Sequence, residues 1–430
     1  MRPGEEDALF IRDRVERHSA WFRDSIPLIA SENVMCPLAK EMMISDFADR
    51  YAEGMPGKRY YEGNLFVDEV EERVIALGER IFRARLADPR PISGTVANLA
   101  ALFALAEPGD LIASPNLQDG AHISTAKFGA VGLRGLRSVN YPFDEAAMNL
   151  DVDGALKLIR KERPKVCQFG MSLFLFPVPL KELRAAIEEV GARCWYDGAH
   201  VLGLIAGGEF QDPLREGADV VTGSTHKTFP GPQHGIVLSN SPDDDLLKKL
   251  RSRVFPGVVS NHHLHAMAAL GVTMAEWLTF GESYARQIVR NARALGEALH
   301  AEGFRVLGEA GGFTRSHQVA VDVRAMGGGA KVSKVFEAAN IITNKNMLPS
   351  DRSRSPQDPS GVRVGVQECT RLGMREGEMR EVARFMARAA IKSEESARVK
   401  ADVTSFKRAF STVQYCFHAG FDAYKYHKLF

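Results

Sequence analysis

The sequence predicts an α/β fold in which a mostly parallel sheet is wrapped by helices. From position 151 onward, apolar runs of strand length alternate with amphipathic runs of helix length, at 166–169, 180–190, 194–196 and 220–221. This alternation is the pattern of βαβ units, which build parallel sheets. The chain has 430 residues, more than one hydrophobic core normally serves. A large sheet domain and a smaller second domain are therefore expected.

The composition points to a small-molecule substrate and a reducing compartment. Lys and Arg number 55 against 54 Asp and Glu, so the formal net charge is +1, and the charges are interspersed. No nucleic-acid partner is therefore expected. The cysteines are scattered, without the spacing of a zinc site or a disulfide framework: Cys36, Cys167, Cys194, Cys369 and Cys416. Since no run of about 18 apolar residues occurs either, we expect a cytoplasmic protein that does not enter a membrane.

The N-terminal region is expected to begin with a helical arm. A mostly apolar set of residues recurs there at helical spacing, namely Ala8, Ile11, Val15, His18 and Phe22. The stripe that they form is intermittent and flanked by charged residues. Such a helix is expected to pack on another surface, either of the same chain or of a partner subunit.

Two loops follow this helix. Ser31, Glu32 and Asn33 come after a proline that ends the helix, and we interpret them as caps of the next one. The segment 51–64 is rich in Gly and Pro, yet it also contains three tyrosines and the isolated Glu53. A turn needs none of these side chains for folding, so we interpret the segment as a binding loop.

Small and hydroxyl-bearing residues precede a further helical run. Ser93, Gly94 and Thr95 stand before the apolar run 99–105. The free backbone N–H groups and the dipole of a helix N-terminus suit a phosphate group, but an ordinary N-cap explains these residues equally well. His122 lies in a later loop and offers one imidazole, which by itself is more often structural than catalytic.

Polar residues follow three successive strands of the predicted sheet. Ser172 follows the strand at 166–169, Asp197 and His200 follow the next, and Lys227 follows the third. Ligands of parallel sheets bind at these strand ends. A lysine in a loop between apolar strands loses hydration, which favours the neutral, nucleophilic amine, and a buried Asp suits a protonated ring nitrogen. With a stacking histidine and a phosphate cup, this combination predicts pyridoxal phosphate.

The C-terminal third is predicted to form the smaller domain. A long helical pattern at 271–303 leads out of the sheet, and strand-like runs follow at 319–323 and 341–343. Arg363 alternates with apolar neighbours in a further strand, where a guanidinium can hold a carboxylate through two hydrogen bonds; a surface salt bridge is the alternative. The histidines within 262–265 have no carboxylate at ligand spacing, so no metal is predicted.

With these motifs assembled, the chain resembles serine hydroxymethyltransferases, pyridoxal-phosphate enzymes of the aspartate-aminotransferase-like fold. Four segments that span most of the chain carry the resemblance, 28–33, 51–61, 197–235 and 344–373. The most specific motifs are Tyr-Ala-Glu-Gly-x-Pro-Gly-Lys-Arg-Tyr-Tyr and Thr-His-Lys-Thr, and shorter features look most like the archaeal branch of the family.

The resemblance implies a particular domain organisation. We expect an N-terminal helical arm at 1–50, and a large domain with a mostly parallel seven-stranded sheet that binds pyridoxal phosphate at 51–275. The remaining residues, 276–430, are expected to form a smaller α+β C-terminal domain.

The resemblance also implies residues that hold the cofactor. Lys227 matches the lysine that carries pyridoxal phosphate covalently, and Asp197 matches the partner of the pyridine nitrogen. His122 resembles the residue that stacks on the ring, while Ser172 and His200 resemble residues that touch the ring oxygen and the substrate side. Further cofactor contacts are implied for Ser93, Gly94, Thr95, Ser224, His226, Ser260 and Asn261.

Substrate contacts are implied in the same way. Ser31 and Arg363 match the family's grip on the substrate carboxylate, with Arg363 as the main charge. Glu53 resembles the acid/base that handles the substrate hydroxyl and the one-carbon unit. Tyr51 and Tyr61 match residues that the neighbouring subunit contributes, so a homodimer or a higher homo-oligomer with shared active sites is implied.

Two departures from the family pattern concern this site. The family usually has Arg at the position of Gln233, and usually a Gly-Gly pair at the positions of Ser260 and Asn261. The first change removes a positive charge near the site. The second replaces a flexible phosphate contact across the dimer with polar side chains. Threonine transaldolase-like relatives share the Gly-Pro-Gln sequence that ends at Gln233.

The resemblance implies reversible serine/glycine interconversion, with a one-carbon unit transferred to a reduced pterin, tetrahydrofolate or tetrahydromethanopterin. Asn346 resembles a contact to that pterin. The main alternative is a threonine aldolase or transaldolase that acts on β-hydroxy amino acids without a pterin. A non-catalytic homologue is a minor alternative, because the Lys, Asp, Glu and Arg positions are all intact.

Overall fold

The structure, a computed structural model, describes residues 2–429. Its strands are β1 (Ile26–Pro27), β2 (Gly54–Met55), β3 (Lys58–Arg59), β4 (Leu86–Asp88), β5 (Leu111–Ser114), β6 (Arg137–Asn140), β7 (Phe143–Asp144), β8 (Asn149–Leu150), β9 (Val166–Phe169), β10 (Arg193–Asp197), β11 (Val220–Ser224), β12 (Gly235–Ser239), β13 (Arg305–Val306), β14 (Gln318–Asp322), β15 (Ile341–Ile342), β16 (Asn344–Asn346) and β17 (Gly361–Gly365).

The helices alternate with these strands. They are α1 (Glu5–Arg23), α2 (Pro37–Met43), α3 (Leu65–Phe82), α4 (Gly94–Leu105), α5 (Ala130–Leu133), α6 (Val152–Glu162), α7 (Leu180–Glu189), α8 (Leu202–Ala206), α9 (Pro213–Glu216), α10 (Asp244–Ser252), α11 (Leu264–Ala301), α12 (Gly329–Ala338), α13 (Gln367–Arg371), α14 (Glu376–Ala390) and α15 (Ser396–Lys407). None of the helices within residues 2–429 combines the length and apolar character needed to cross a membrane.

The central sheet has seven strands in the order β4-β12-β11-β10-β9-β5-β6. The five strands from β11 to β6 are parallel, whereas β12 runs antiparallel to both β11 and β4. The prediction of a mostly parallel seven-stranded sheet is therefore confirmed. The carboxyl ends of β9, β10 and β11 meet at one edge, which positions the site described below.

Helices cover both faces of this sheet, because successive strand residues point to opposite sides. Trp195 and Val220 pack in the core cluster that includes α4 and α10. Their neighbours Tyr196 and Val221 pack in the larger cluster on the other face, which includes α3, α7 and α11. Because both faces of these strands are buried, their residues are apolar at successive positions and do not alternate with polar ones. This explains why the strands are found in the sequence as continuous apolar runs.

A second sheet lies in the C-terminal part, with the antiparallel order β13-β14-β17-β16. Helix α12 packs against β16 and β17, as expected for an α+β unit. The 38-residue helix α11 contacts α3 of the large sheet and also β13 and β14 of the second sheet. The predicted boundary after residue 275 falls inside α11, and the three-part domain division stays a prediction.

The N-terminal helix forms as predicted, but none of its side chains is buried in the single chain. Leu9, Phe10, Ile11 and Val15 are each about half exposed. After this helix, β1 adds in parallel to β15, where it pairs Ile26 with Ile341 next to the second sheet. The arm is thus attached at its carboxyl end, and its apolar stripe faces outward.

Candidate active site

A pocket of about 200 Å³ opens at the carboxyl ends of β9, β10 and β11. It is lined by Ser93, Gly94, Thr95, Asn98, His122, Met171, Ser172, Asp197, Ala199, His200, Ser224, His226 and Lys227. Residues from five separate segments therefore converge at the strand ends. Asn98, Met171 and Ala199 are the lining residues to which the sequence had given no role.

Lys227 lies on the connection between β11 and β12, as predicted from the apolar runs on each side. Its own carbonyl oxygen accepts a hydrogen bond from Asn33 Nδ2 at 2.6 Å, and the same amide nitrogen lies 2.9 Å from Tyr284 Oη. The Tyr284 hydroxyl in turn donates to the Gln367 carbonyl oxygen at 2.7 Å. Distant parts of the chain thereby hold the lysine loop in place.

The Lys227 side chain is buried, and burial lowers its pKa to about 8. The nearby Asp197 carboxylate opposes this shift, while the Arg363 guanidinium adds to it. Loss of hydration penalises the ammonium form more than the neutral amine. A substantial fraction of the side chain is therefore a neutral nucleophile near physiological pH.

Asp197 ends β10 and is held by two donors. Asn98 Nδ2 donates to Oδ2 at 2.8 Å, and the backbone N–H of Ala199 donates to Oδ1 at 3.0 Å. Asn98 is itself fixed, because its Oδ1 accepts a hydrogen bond from the Thr222 hydroxyl at 2.6 Å. The carboxylate therefore has a defined orientation toward the pocket, which suits a charge-assisted hydrogen bond to a protonated ring nitrogen.

The first turn of α4 also lines the pocket. The Ser93 hydroxyl accepts a hydrogen bond from Val96 N at 3.2 Å, so this residue is the N-cap. The helix N-terminus that it caps still lines the pocket together with Ser224 and His226. His226 Nδ1 is buried and has no hydrogen-bond partner within residues 2–429. These groups are of the kind that bind a phosphate.

The phosphate cup depends on the absence of a side chain at Gly235. A Cβ atom there would lie 2.3 Å from the backbone oxygen of Ser93, which cannot rotate away. We expect Gly235→Ala to lower the free energy of unfolding by about 1–3 kcal/mol and to weaken pyridoxal-phosphate binding. Thermal unfolding and cofactor titration measure both quantities.

Gly377→Ala is the matched control for this change, because a Cβ atom there meets no heavy atom within 4 Å. Ala is also the better helix former at that position in α14. Equal stability and equal cofactor affinity in the two variants would contradict the account of Gly235.

His122 is half-buried at the rim of the pocket, and burial lowers its pKa. Its Nδ1 accepts a hydrogen bond from the backbone N–H of Ser124 at 3.2 Å and lies 2.7 Å from the Ser124 hydroxyl. The ring is therefore neutral and held at one nitrogen. A neutral imidazole fixed in this way presents a face on which a planar ring can stack.

Arg363 lies on β17 of the second sheet and does not itself line the pocket, but it contacts the lining residue Ser172. Its Nη1 donates to the Ser172 carbonyl oxygen at 2.7 Å, and its Nε donates to Asn344 Oδ1 at 3.2 Å. Burial lowers the pKa of the guanidinium to about 10, which still leaves it charged at neutral pH. Because Arg363 has no carboxylate partner within residues 2–429, the surface-salt-bridge alternative is wrong.

The interpretation of residues 31–33 as helix caps is wrong. Helix α2 begins at Pro37, and its N-cap is Cys36, whose Sγ accepts from Ala39 N at 3.3 Å. The segment before it is instead held by Gln367, whose Nε2 donates to the carbonyl oxygens of Ile29 at 2.8 Å and Glu32 at 2.6 Å. The polar side chains of this segment are therefore available for contacts with other parts of the chain, such as the contact of Asn33 with the lysine loop.

A second group of predicted site residues lies apart from the pocket of the same chain. Tyr51 and Tyr61 are each about half exposed, and their rings are 5.0 Å apart. The Tyr51 hydroxyl lies 3.4 Å from Glu53 Oε1. None of these three residues lines the pocket. We call Tyr51, Glu53 and Tyr61 the outer cluster.

Asn261, one of the two residues before α11 at which the family usually has glycine, supports this outer cluster. Asn261 Oδ1 accepts a hydrogen bond from Ala52 N at 2.9 Å, and its Nδ2 donates to the Arg50 carbonyl oxygen at 3.3 Å. Ser260 is exposed beside it. The loop carries neither residue to the pocket of its own chain, and Asn261 instead fixes the backbone on which the outer cluster stands.

Three further predictions concern residues outside the pocket lining. Ser31 is half-buried in the segment next to the lysine loop. Asn346 ends β16, two residues after the Asn344 that contacts Arg363, and its Nδ2 donates to the Met347 carbonyl oxygen at 2.6 Å. Gln233 is exposed and does not line the pocket. Within residues 2–429, no group of three potential ligands is arranged to hold a metal ion.

The residues of the pocket fit pyridoxal phosphate on their own chemistry. A buried amine with a lowered pKa can form the covalent link, and an oriented carboxylate can face the ring nitrogen. The unpartnered His226 nitrogen and the α4 N-terminus can hold the phosphate. Lys227 would form the covalent link, Asp197 would hold the ring nitrogen, His122 would pack on the ring and Ser93 would help to hold the phosphate.

The fold and this pocket together define a pyridoxal-phosphate-dependent enzyme of the aspartate-aminotransferase-like class. A family model described as "Serine hydroxymethyltransferase" matches residues 6–386. Relatives with that name are 57% identical in Thermoplasma volcanium, over 99% of each chain, and 52% identical in Sulfolobus acidocaldarius, over 92% of each chain. The chain therefore belongs to the serine hydroxymethyltransferase family.

A solved structure is similar over nearly the whole chain. It is an L-threonine transaldolase from Pseudomonas fluorescens in its internal aldimine state, with a TM-score of 0.84 and 29% identity, and the match covers 96% of this chain and 92% of that one. The predicted family, fold class and archaeal likeness are confirmed. The family uses pyridoxal phosphate bound to a lysine and a pterin co-substrate, so the cofactor and enzyme-class predictions are also confirmed.

Proposed function

We propose that this chain interconverts serine and glycine reversibly and transfers the one-carbon unit to or from a reduced pterin. The observation that carries the proposal is the buried Lys227, with its pKa lowered to about 8, beside the oriented Asp197 in a chain of this family. Relatives named serine hydroxymethyltransferase at 50–57% identity over almost the whole chain support this reaction over threonine transaldolation.

Different residues around the pocket hold different parts of the cofactor in this proposal. The neutral amine of Lys227 provides the covalent attachment, and Asp197 accepts a hydrogen bond from the ring nitrogen and keeps that nitrogen protonated. His122 would pack on the ring, while Ser93 and the α4 N-terminus would hold the phosphate. Pyridoxal phosphate held by these residues would supply an electron sink for the bond that breaks at the α-carbon of the amino acid.

Arg363 orients the amino acid in this proposal. Its guanidinium, held by the Ser172 carbonyl and Asn344, binds the substrate carboxylate. Ser31 assists from the segment beside the lysine loop. A carboxylate fixed on one side of the pocket determines which bond of the α-carbon is aligned for cleavage. Asn346, on the same strand as Asn344, is proposed to contact the pterin.

Glu53 is proposed to move the proton of the substrate hydroxyl as the one-carbon unit departs. Because Glu53 stands in the outer cluster and does not line the pocket of its own chain, we propose that it reaches the pocket of a second copy. The exposed tyrosines beside it and the outward apolar stripe of α1 are consistent with such a partner surface. A homodimer or higher homo-oligomer with shared active sites is therefore proposed.

Mixing two inactive variants tests this shared site. Lys227→Ala removes the pocket nucleophile, and Glu53→Gln removes the acid/base of the outer cluster. In a mixed dimer one of the two sites receives both intact residues, so random reassembly is expected to restore about a quarter of the unmutated activity. Serine turnover of the refolded or co-expressed mixture measures this fraction.

The double variant Lys227→Ala/Glu53→Gln, mixed with unmutated chains, is the control for this experiment, because each of its mixed dimers has one altered residue in each site. No recovery in the first mixture would show that Glu53 acts within its own chain.

Covalent attachment of pyridoxal phosphate should follow the titration of Lys227. Only the neutral amine attacks, so with a pKa of about 8 the attachment rate rises about tenfold from pH 6 to pH 7 and levels off above about pH 9. Asp197→Asn should move this profile to lower pH, because the carboxylate raises the pKa of Lys227. Stopped-flow absorbance of the apoenzyme mixed with cofactor measures the profile, and a pH-independent rate would contradict it.

The reaction itself is tested by comparing two turnovers in one preparation. Serine cleavage is measured with tetrahydrofolate and with tetrahydromethanopterin, and acetaldehyde release is measured from threonine without a pterin. We expect pterin-dependent serine cleavage to dominate. Two observations favour the alternative, a threonine aldolase or transaldolase: the Gly-Pro-Gln sequence that ends at Gln233 and the similar transaldolase structure. Efficient threonine cleavage without pterin-dependent serine turnover would establish that alternative.

We also propose a cytoplasmic location. All five cysteines are free and buried, which agrees with a compartment that keeps thiols reduced.

A further inference from the structure

Gln318 begins β14 of the second sheet, yet its side chain reaches the pocket of the large sheet. Gln318 Oε1 accepts a hydrogen bond from Phe174 N at 2.8 Å, and Nε2 donates to the Ser172 carbonyl oxygen at 2.9 Å. A backbone N–H can only donate and a carbonyl can only accept, so these contacts fix which end of the amide is the nitrogen. The second N–H of Nε2 is left for His200 Nδ1, which lies 2.9 Å away.

The neighbouring histidine does not take this hydrogen. His317 Nε2 is 3.4 Å from Gln318 Nε2, but it is also 3.1 Å from the Ala30 carbonyl oxygen. That oxygen can only accept, so His317 Nε2 carries a proton and donates it to Ala30. Two donors cannot pair, and the amide hydrogen therefore goes to His200. The two imidazoles stack, with ring centroids 5.7 Å apart and an interplanar angle of 19°.

We propose that Gln318 is a positioning residue that holds His200 in the tautomer with Nδ1 unprotonated and Nε2–H directed into the pocket. His200 lines the pocket, and Nε2 is the nitrogen that remains to face it. An N–H at that position donates to an oxygen of cofactor or substrate, whereas the other tautomer would present a lone pair and repel that oxygen. The identity of the acceptor oxygen rests on the proposed function, whereas the tautomer of His200 does not.

Burial and the groups around His200 keep its ring neutral, so Gln318 determines which of the two ring nitrogens carries the proton. The groups that face His200 are Lys227, Arg363, His317 and His122, and each of them opposes a positive charge on its ring. Burial acts in the same direction, so the pKa of His200 lies well below its ordinary value. The ring is neutral across the working range, and the proton resides on either Nδ1 or Nε2 according to the hydrogen-bond partner.

The substitution Gln318→Glu separates this role from a packing role. The side chain keeps its size, and a carboxylate oxygen in place of Nε2 can only accept. His200 Nδ1 is then expected to become protonated, which reverses the tautomer. Gln318→Met removes the donor without adding an acceptor and is expected to give a mixture of tautomers. A loss of about 10- to 100-fold in kcat/KM for serine is expected in both, as for other residues that orient a functional imidazole.

The test is 15N NMR of the holoenzyme labelled at histidine, with the His200 signals assigned by their absence in His200→Gln. The unmutated protein should show an unprotonated Nδ1 and a protonated Nε2, and Gln318→Glu should exchange them. Gln287→Met is the matched control, because Gln287 on α11 is also a buried amide, and its Nε2 donates to Asn291 Oδ1 at 2.9 Å and to Glu376 Oε2 on α14 at 3.0 Å. It should lose stability like Gln318→Met while the His200 signals stay unchanged.

Two results would overturn the proposal. One is a protonated Nδ1 in the unmutated protein, and the other is an unchanged His200 tautomer in Gln318→Glu. Either can be observed whichever amino acid the enzyme prefers, so failure of this inference is distinguishable from failure of the proposed reaction. If Gln318→Met does not fold, the isosteric Gln318→Glu variant still tests whether Gln318 sets the tautomer of His200.

Discussion

Lys227→Ala is expected to lower serine turnover by at least about four orders of magnitude, because removal of an attacking nucleophile costs on that scale. Lys227 lines the pocket with its side chain buried, and none of the other lysines that the structure describes lines it. The variant should still bind pyridoxal phosphate through the phosphate cup and Asp197, but without a covalent link. Borohydride reduction followed by mass spectrometry distinguishes the two modes of binding.

Lys407→Met is the matched control for this variant. Lys407 is also buried, and burial lowers its pKa as well, but it contacts the backbone oxygens of Arg23 and Phe410 far from the pocket. The control should lose stability and keep both turnover and the covalent link. Unchanged turnover in Lys227→Ala would discard the covalent mechanism altogether.

Arg363→Met is expected to reduce kcat/KM for serine by about 30- to 5,000-fold, which corresponds to about 2–5 kcal/mol for a truncated partner of a desolvated charge pair. Most of the loss should be in KM, since the guanidinium binds the carboxylate before and during the reaction. The variant also removes a charge that lowers the pKa of Lys227, so the pH profile of cofactor attachment should move upward.

Arg305→Met supplies the control within the same small sheet. Arg305 is exposed on β13, where it pairs with Asp322 at 3.3 Å, whereas Arg363 is buried and contacts Ser172 of the pocket lining. Kinetic constants and the attachment profile should both match those of the unmutated protein. A normal KM for serine in Arg363→Met would place the carboxylate elsewhere in the pocket.

Local sequence patterns were sufficient to predict much of the fold and the central residues of the site. Apolar strands that end in Asp197 or lead to Lys227 could be recognised because the sheet is buried on both faces and its strands are continuously apolar. The rule that ligands bind at strand ends then brought these residues to one edge. Ser93 was correctly placed at a helix N-terminus by its neighbours alone.

The predictions were incomplete where a partner comes from far along the chain. Asn33 was interpreted as a cap because polar residues after a proline often have that role, yet it holds the lysine loop 194 positions away. Asn98 orients Asp197 across 99 positions, and Gln318 reaches His200 across 118. No local periodicity reports such contacts, because each depends on how two sheets and their connections pack.

The sequence by itself determined the chemistry of the site: one lysine between two buried strands, an Asp at a strand end and hydroxyl residues at a helix N-terminus. These follow from short-range rules of hydration, strand burial and helix capping. Only the tertiary structure decided the orientation of each group and the separation of Glu53 from the pocket of its own chain. Orientation and separation depend on long-range packing, in which a hydrogen bond is made only when distant backbones are brought within about 3 Å.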